Sequence, residues 1–214
     1  MSDLFREIEE DLQRDRYKKL WAKYGGVVIA AAIGLVVATG AWQGWKTYAL
    51  RRDQAFGQRY AEALRLAQAG NTAEAAAAFA KLAEDAGAGY AALARLQEAA
   101  LLAKEGNVDG AVAVYDQLAA DGSVDRVYRD LATLLAILHG ADRGDPAALT
   151  RRLEPLTAAA SPWRHSALEL TAILAERMGD KARAEQLYAQ LADDATAPAD
   201  IRARAAEMLA ALKG

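Results

Sequence analysis

One motif returns along this chain at nearly even intervals, and no other feature restricts the fold as much. "GNTAEAAAAFAKLA" begins at Gly70, "GNVDGAVAVYDQLA" at Gly106 and "GDKARAEQLYAQLA" at Gly179. Each reads Gly, then Asn or Asp, then Ala five residues after the Gly: Ala75, Ala111 and Ala184. An aromatic follows at nine (Phe79, Tyr115, Tyr188) and Leu at twelve (Leu82, Leu118, Leu191). The first two copies start 36 residues apart and the last two 73, so a hidden copy is expected near position 143. "GDPAALTRRLEPL" starts at Gly144 and supplies Leu149, Leu153 and Leu156 at the same three offsets.

The spacing predicts helical hairpins. Gly ends a helix by taking the left-handed conformation, and the Asn or Asp after it caps the next one. Offsets five, nine and twelve share one face at 3.6 residues per turn. The small residue lets the two helices approach, and the aromatic fills the gap to the neighbour. Another helical stretch precedes each Gly, at 54–69, 89–105, 124–140 and 162–178. With a terminal helix at 199–212, four hairpins stack as a short α-solenoid, since no unit buries its apolar face alone. Pro146 and Pro162 read as first helical residues. Pro155 should end the hidden copy's helix near Glu154 and open an irregular turn before Ser161.

Ahead of the repeats lies "KKLWAKYGGVVIAAAIGLVVATGAWQGWK", in which 22 residues between Lys23 and Lys46 carry no charge. As a helix this run measures roughly 33 Å, enough for a hydrocarbon core of about 30 Å. Trp21 and Tyr24 at one end, and Trp42, Trp45 and Tyr48 at the other, fit two interfacial belts. A cleaved leader fits poorly, because 23 residues precede the run and six of them are acidic. The chain therefore reads as a tail (1–23), a single transmembrane helix (24–45), a juxtamembrane linker (46–53) and a repeat domain (54–214). Within about 15 residues of the run, five basic residues precede it and four follow, a narrow margin for a cytoplasmic N-terminus. Ala22, Gly26, Ala30, Gly34 and Ala38 form a stripe of small residues along the span. Such a stripe suits close packing with another membrane helix, although alanine and glycine are abundant here in any case. Leu4, Phe5, Ile8 and Leu12 form an apolar stripe in the charged tail, which reads as a solvated helix.

Several chemistries find no support. The 166 residues from Ala49 onward carry 19 Lys and Arg against 23 Asp and Glu, evenly mixed, so no basic stripe addresses nucleic acid. Cysteine is absent, which excludes disulfides and thiolate chemistry. No nucleophile–base set, phosphate loop or dinucleotide fingerprint occurs; "GAG" at 87–89 reads as a helix stop. His165 and Glu169 stand four apart, but no second ligand pair is visible and a groove or surface histidine fits better; His139 is the other histidine. The expectation is an all-α interaction protein, not an enzyme, with no cofactor, metal or small-molecule substrate.

The Gly-Asn/Asp…Ala…Tyr/Phe spacing is similar to the tetratricopeptide repeat, although that repeat's Trp, second Gly and closing Pro are mostly missing. Together with "WAKYGG" entering the span, "WQGWKTY" leaving it and "GYAALARLQEAALLAKEGN", the arrangement resembles the ancillary Sec-translocon subunit family, of the YfgM type. The resemblance implies a single-pass protein of the bacterial inner membrane, with its N-terminus cytoplasmic and its repeat domain periplasmic. It also implies partners among membrane proteins of the translocon and periplasmic chaperones, in support of protein export or folding. A scaffold for envelope or cytochrome-complex assembly, working through the same repeat groove, is the alternative.

Overall fold

The computed structural model describes residues 2–214, with side chains described for residues 18, 21–26, 29 and 33–214. The chain divides into two units, Met1–Ala55 and Phe56–Gly214. The described residues form helices α1 (Ser2–Gln68), α2 (Thr72–Asp85), α3 (Ala88–Lys104), α4 (Val108–Ala120), α5 (Arg126–Gly140), α6 (Pro146–Leu153), α7 (Arg164–Arg177), α8 (Lys181–Asp193) and α9 (Ala199–Lys213). A short 3-10 helix, Glu154–Thr157, follows α6. No strand occurs among them, and the fold is an all-α stack of hairpins.

In the first unit, residues 46–53, read above as a linker, are helical; they contain no Gly or Pro to stop a helix. Among the described residues no helix is long and apolar enough to cross a membrane. Val27, Val28, Ala30, Ala31 and Ala32 of the expected span lie outside the described side chains, as do Leu4, Phe5, Ile8 and Leu12 of the tail. The described part of the run exposes Ile29, Ile33, Leu35, Val36 and Val37, along with Trp21, Tyr24, Trp42, Trp45 and Tyr48. Of the small-residue stripe, Ala22, Gly26, Gly34 and Ala38 are exposed.

The second unit stacks by nearest neighbours. One core cluster joins the end of α1 to α2 and α3 through Phe56, Ala63, Phe79, Leu82 and Ala94. The next joins α3, α4 and α5 around Tyr115 and Leu118. A third joins α5, α6 and α7 around Ile137, Leu153 and Leu174, and the last closes α7, α8 and α9 around Tyr188 and Leu191. Each cluster holds one hairpin and the first helix of the next, the arrangement that makes a solenoid quasi-one-dimensional. Polar ties keep the same register: Trp163 Nε1 donates to the Val127 carbonyl 36 residues away at 3.2 Å, and the Arg177 guanidinium donates to the Ala141 carbonyl, again 36 away.

The turns show why the period begins on glycine. Gly70, Gly106 and Gly179 have φ of 86°, 82° and 75°, where a Cβ is strained. Around Gly106, Asn107 N donates to Leu102 O at 2.9 Å and Gly106 N to Ala103 O at 3.0 Å. This pair of bonds forms a Schellman motif that satisfies the last carbonyls of α3. The same pair recurs at Gly70 and Gly179. Asn107 and Asp180 then accept from the backbone N–H of Gly110 and Arg183 as N-caps.

Four details differ from the sequence expectation. Asn71 makes no side-chain cap bond. Gly144 lacks positive φ, although the rest of the hidden copy's start is as expected: the Asp145 carboxylate accepts from Ala147 N and Ala148 N, with Pro146 in the first turn. Pro162 is not a first helical residue, because α7 begins two residues later, at Arg164, with Trp163 at its N-cap. "GAG" at 87–89 is a helix start: Gly87 is the N-cap of α3 and Gly89 lies inside it. Pro155 falls in the 3-10 turn that ends α6, since its ring cannot continue an α-helix through the preceding carbonyl.

Candidate functional site

The repeat positions form the scaffold. Ala75, Phe79, Leu82, Ala111, Tyr115, Leu118, Leu153, Leu156, Ala184, Tyr188 and Leu191 are buried. Leu149 is half-buried against the cluster of α5, α6 and α7. These residues lie on α2, α4, α6 with its 3-10 extension, and α8, and point between helices.

An open groove of about 510 Å³ is lined mainly by residues of α5, α7 and α9, with Tyr188 of α8. Leu134 and Leu138, four apart on α5, make one apolar wall, and Leu170 and Ile173 of α7 another. Met208 closes the α9 side, and the Tyr188 ring reaches the floor. Leu138 is 49% exposed, Ile173 36% and Met208 38%. Three large apolar side chains that converge in one concavity while still facing solvent mark an interaction surface.

Polar groups are set along the same groove. Glu169 and Arg204 form a two-bond pair, with Nε to Oε1 at 2.8 Å and Nη2 to Oε2 at 2.9 Å. Arg204 also reaches Asp200 at 3.2 Å. The hydrogen bond to Glu169, then its charge, raise the Arg204 pKa further above its ordinary value. The hydrogen bond from Arg204 holds the Asp200 carboxyl below its ordinary range. Tyr188 donates its hydroxyl to Glu176 at 2.5 Å. Burial, then that hydrogen bond, push the phenol well above its ordinary pKa, so it remains a donor. Glu207 lines the groove, is exposed, and makes no ion pair among the described residues.

The two histidines are accounted for locally. His165 Nε2 lies 3.2 Å from Asp194 Oδ2, beside Arg164, which reaches the same oxygen at 2.7 Å. Glu169, its neighbour one turn on, is turned to Arg204. His139 stacks on Tyr115 with centroids 5.7 Å apart. Among the described residues no three His, Asp or Glu side chains gather closely enough to hold a metal ion.

One recurring set escaped the sequence reading. Asp85, Asp121 and Asp194 each stand fifteen residues after a repeat Gly. Each is tied to an Arg on the first helix of its own hairpin: Arg59 at 2.8 Å, Arg95 at 2.7 Å and Arg164 at 2.7 Å. Counting on from each Gly to the end of the second helix would have found it. The hidden copy has Ala159 at that offset and keeps Arg129 on α5, whose Nε is buried without a hydrogen-bond partner among the described residues.

A family model described as a tetratricopeptide repeat-like domain matches residues 18–213. The chain belongs to this family. No curated protein matches it. Tetratricopeptide-like domains are protein–protein interaction modules and are generally non-catalytic.

Proposed function

We propose that this protein is a membrane-tethered interaction module of the inner membrane, with its repeat domain in the periplasm, that assists protein export or folding by binding translocon and chaperone partners. The observation that carries the interaction part is the groove: Leu138, Ile173 and Met208 stand exposed around one concavity of a tetratricopeptide-like stack. The tether rests on the 22 uncharged residues between Lys23 and Lys46 and on the solvent-facing Ile33, Leu35, Val36 and Val37. A helix apolar on every side needs an apolar surrounding. The translocon assignment rests on resemblance in the sequences that enter and leave that run.

Two measurements test the reading. A reporter enzyme active only in the periplasm, fused after Gly214, is active; activity of a cytoplasm-only reporter there overturns the orientation. Affinity purification from mild detergent, read by mass spectrometry, recovers translocon subunits or periplasmic folding factors. Recovery of envelope-assembly components in their place transfers the module to a different client.

A further inference from the structure

The charges around the groove are unbalanced. Glu169 and Asp200 both pair with one cation, Arg204, and Glu207 lines the same groove. Glu176 adds a fourth carboxylate beneath, at the Tyr188 hydroxyl. Arg204 is already engaged by Glu169 and Asp200, so it offers an incoming acidic group little. Glu207 has no such partner among the described residues and faces solvent at the same edge as Met208. The nearby cations are used elsewhere: Arg164 binds Asp194, and Arg177 donates to the carbonyls of Ala141 and Gly144. The groove therefore has apolar walls and an electronegative α9 edge.

We propose that the groove between α5, α7 and α9 receives a protein segment with an apolar stretch flanked by Lys or Arg, the apolar side chains lying against Leu138, Ile173 and Met208 and the cation meeting Glu207. This rests on the reading of the groove as a protein-docking surface and adds the chemistry of its occupant. Apolar contact supplies affinity, while the carboxylate edge selects for charge and orients the segment. An acidic segment meets the Glu207 carboxylate and is disfavoured, which is how specificity arises on an otherwise permissive apolar wall.

The test uses the full chain in nanodiscs, with empty nanodiscs as the blank. Two fluorescent synthetic peptides share a leucine–alanine core, one flanked by lysines and the other by glutamates, and binding is read by anisotropy. The lysine-flanked peptide binds more tightly than the glutamate-flanked one, and added salt weakens it. Glu207→Lys weakens it about tenfold, the scale of a lost and reversed charge contact. Ile173→Asp weakens both peptides, and circular dichroism shows that each variant stays folded. Equal binding of the two peptides, or no effect of Glu207→Lys, overturns the inference. A peptide displaced by self-association of the chain makes a second copy the occupant and overturns it too. In those cases photo-crosslinks from the groove to a protein partner still decide the broader reading separately.

Discussion

Tyr115 and Tyr188 sit at the ninth position of their repeats with almost no solvent access, at 2% and 1%. Truncating either to Ala leaves a large cavity, and the loss should be about 3–5 kcal/mol. Denaturant melts of the unit Phe56–Gly214 measure it; the four core clusters draw on no residue before Phe56. A loss within about 0.5 kcal/mol at both, the level of surface changes, would contradict the hairpin register. The Arg–Asp ties make a second contrast. Arg95→Met removes the partner of Asp121 and lowers the melting midpoint. Arg129→Met removes a buried Nε that has no acceptor, a burden of about 1–3 kcal/mol in general, and should leave the midpoint unchanged or raise it. A fall as large as that of Arg95→Met would show that Arg129 is engaged. Acid acts on the same ties. Hydrogen bonds from Ser123, then from Arg95, hold the Asp121 carboxyl down to about 2. A carboxyl depressed on folding stabilises above its unfolded pKa of about 4. That contribution is lost as pH falls from about 4 through about 2. Melts across this window should show a steep decline that Asp121→Asn makes shallower.

At the scale of the element, the three left-handed glycines define where each hairpin turns. Gly106→Ala places a Cβ at φ 82° and should cost roughly 1–2 kcal/mol. Gly122→Ala, with open space around its Cβ position and no positive φ, should cost far less, and thermal melts separate the two. The turns and apolar offsets were legible in the sequence because they are local: Gly, a cap and a face repeat at fixed spacing. The hidden copy was legible through Leu149, Leu153 and Leu156 and through the Asp145 cap with Pro146 behind it, but not in its turn, because Gly144 does not take the left-handed conformation. Pro162 was misplaced for a related reason. A proline suits several turn positions, and only the packing of Trp163 decides which. In the proposed anchor, Gly34→Leu should lower recovery of a membrane partner while Leu35→Ala leaves it unchanged; equal recovery would reduce the small-residue stripe to composition.

The whole molecule has properties that no single repeat carries. The groove needs α5, α7 and α9 side by side, residues seventy positions apart in Leu138 and Met208, so its membership could not be read from sequence. The repeat offsets did mark which positions of the second helices enter the core, among them Tyr115 and Tyr188. The Asp at offset fifteen is periodic in three copies, but Ala159 breaks the period in the hidden one and the Arg partner lies on the preceding helix. The proposed function requires that partners dock in the groove lined by α5, α7 and α9. The most direct measurement places a photo-activatable amino acid at Leu138 or Ile173 in the groove, and at the exposed Gln190 on α8, in native membranes. Discrete crosslinks to protein partners from Leu138 and Ile173, with few or none from Gln190, are the predicted result. Crosslinks from Gln190 matching those from the groove, or none from the groove at all, would contradict it.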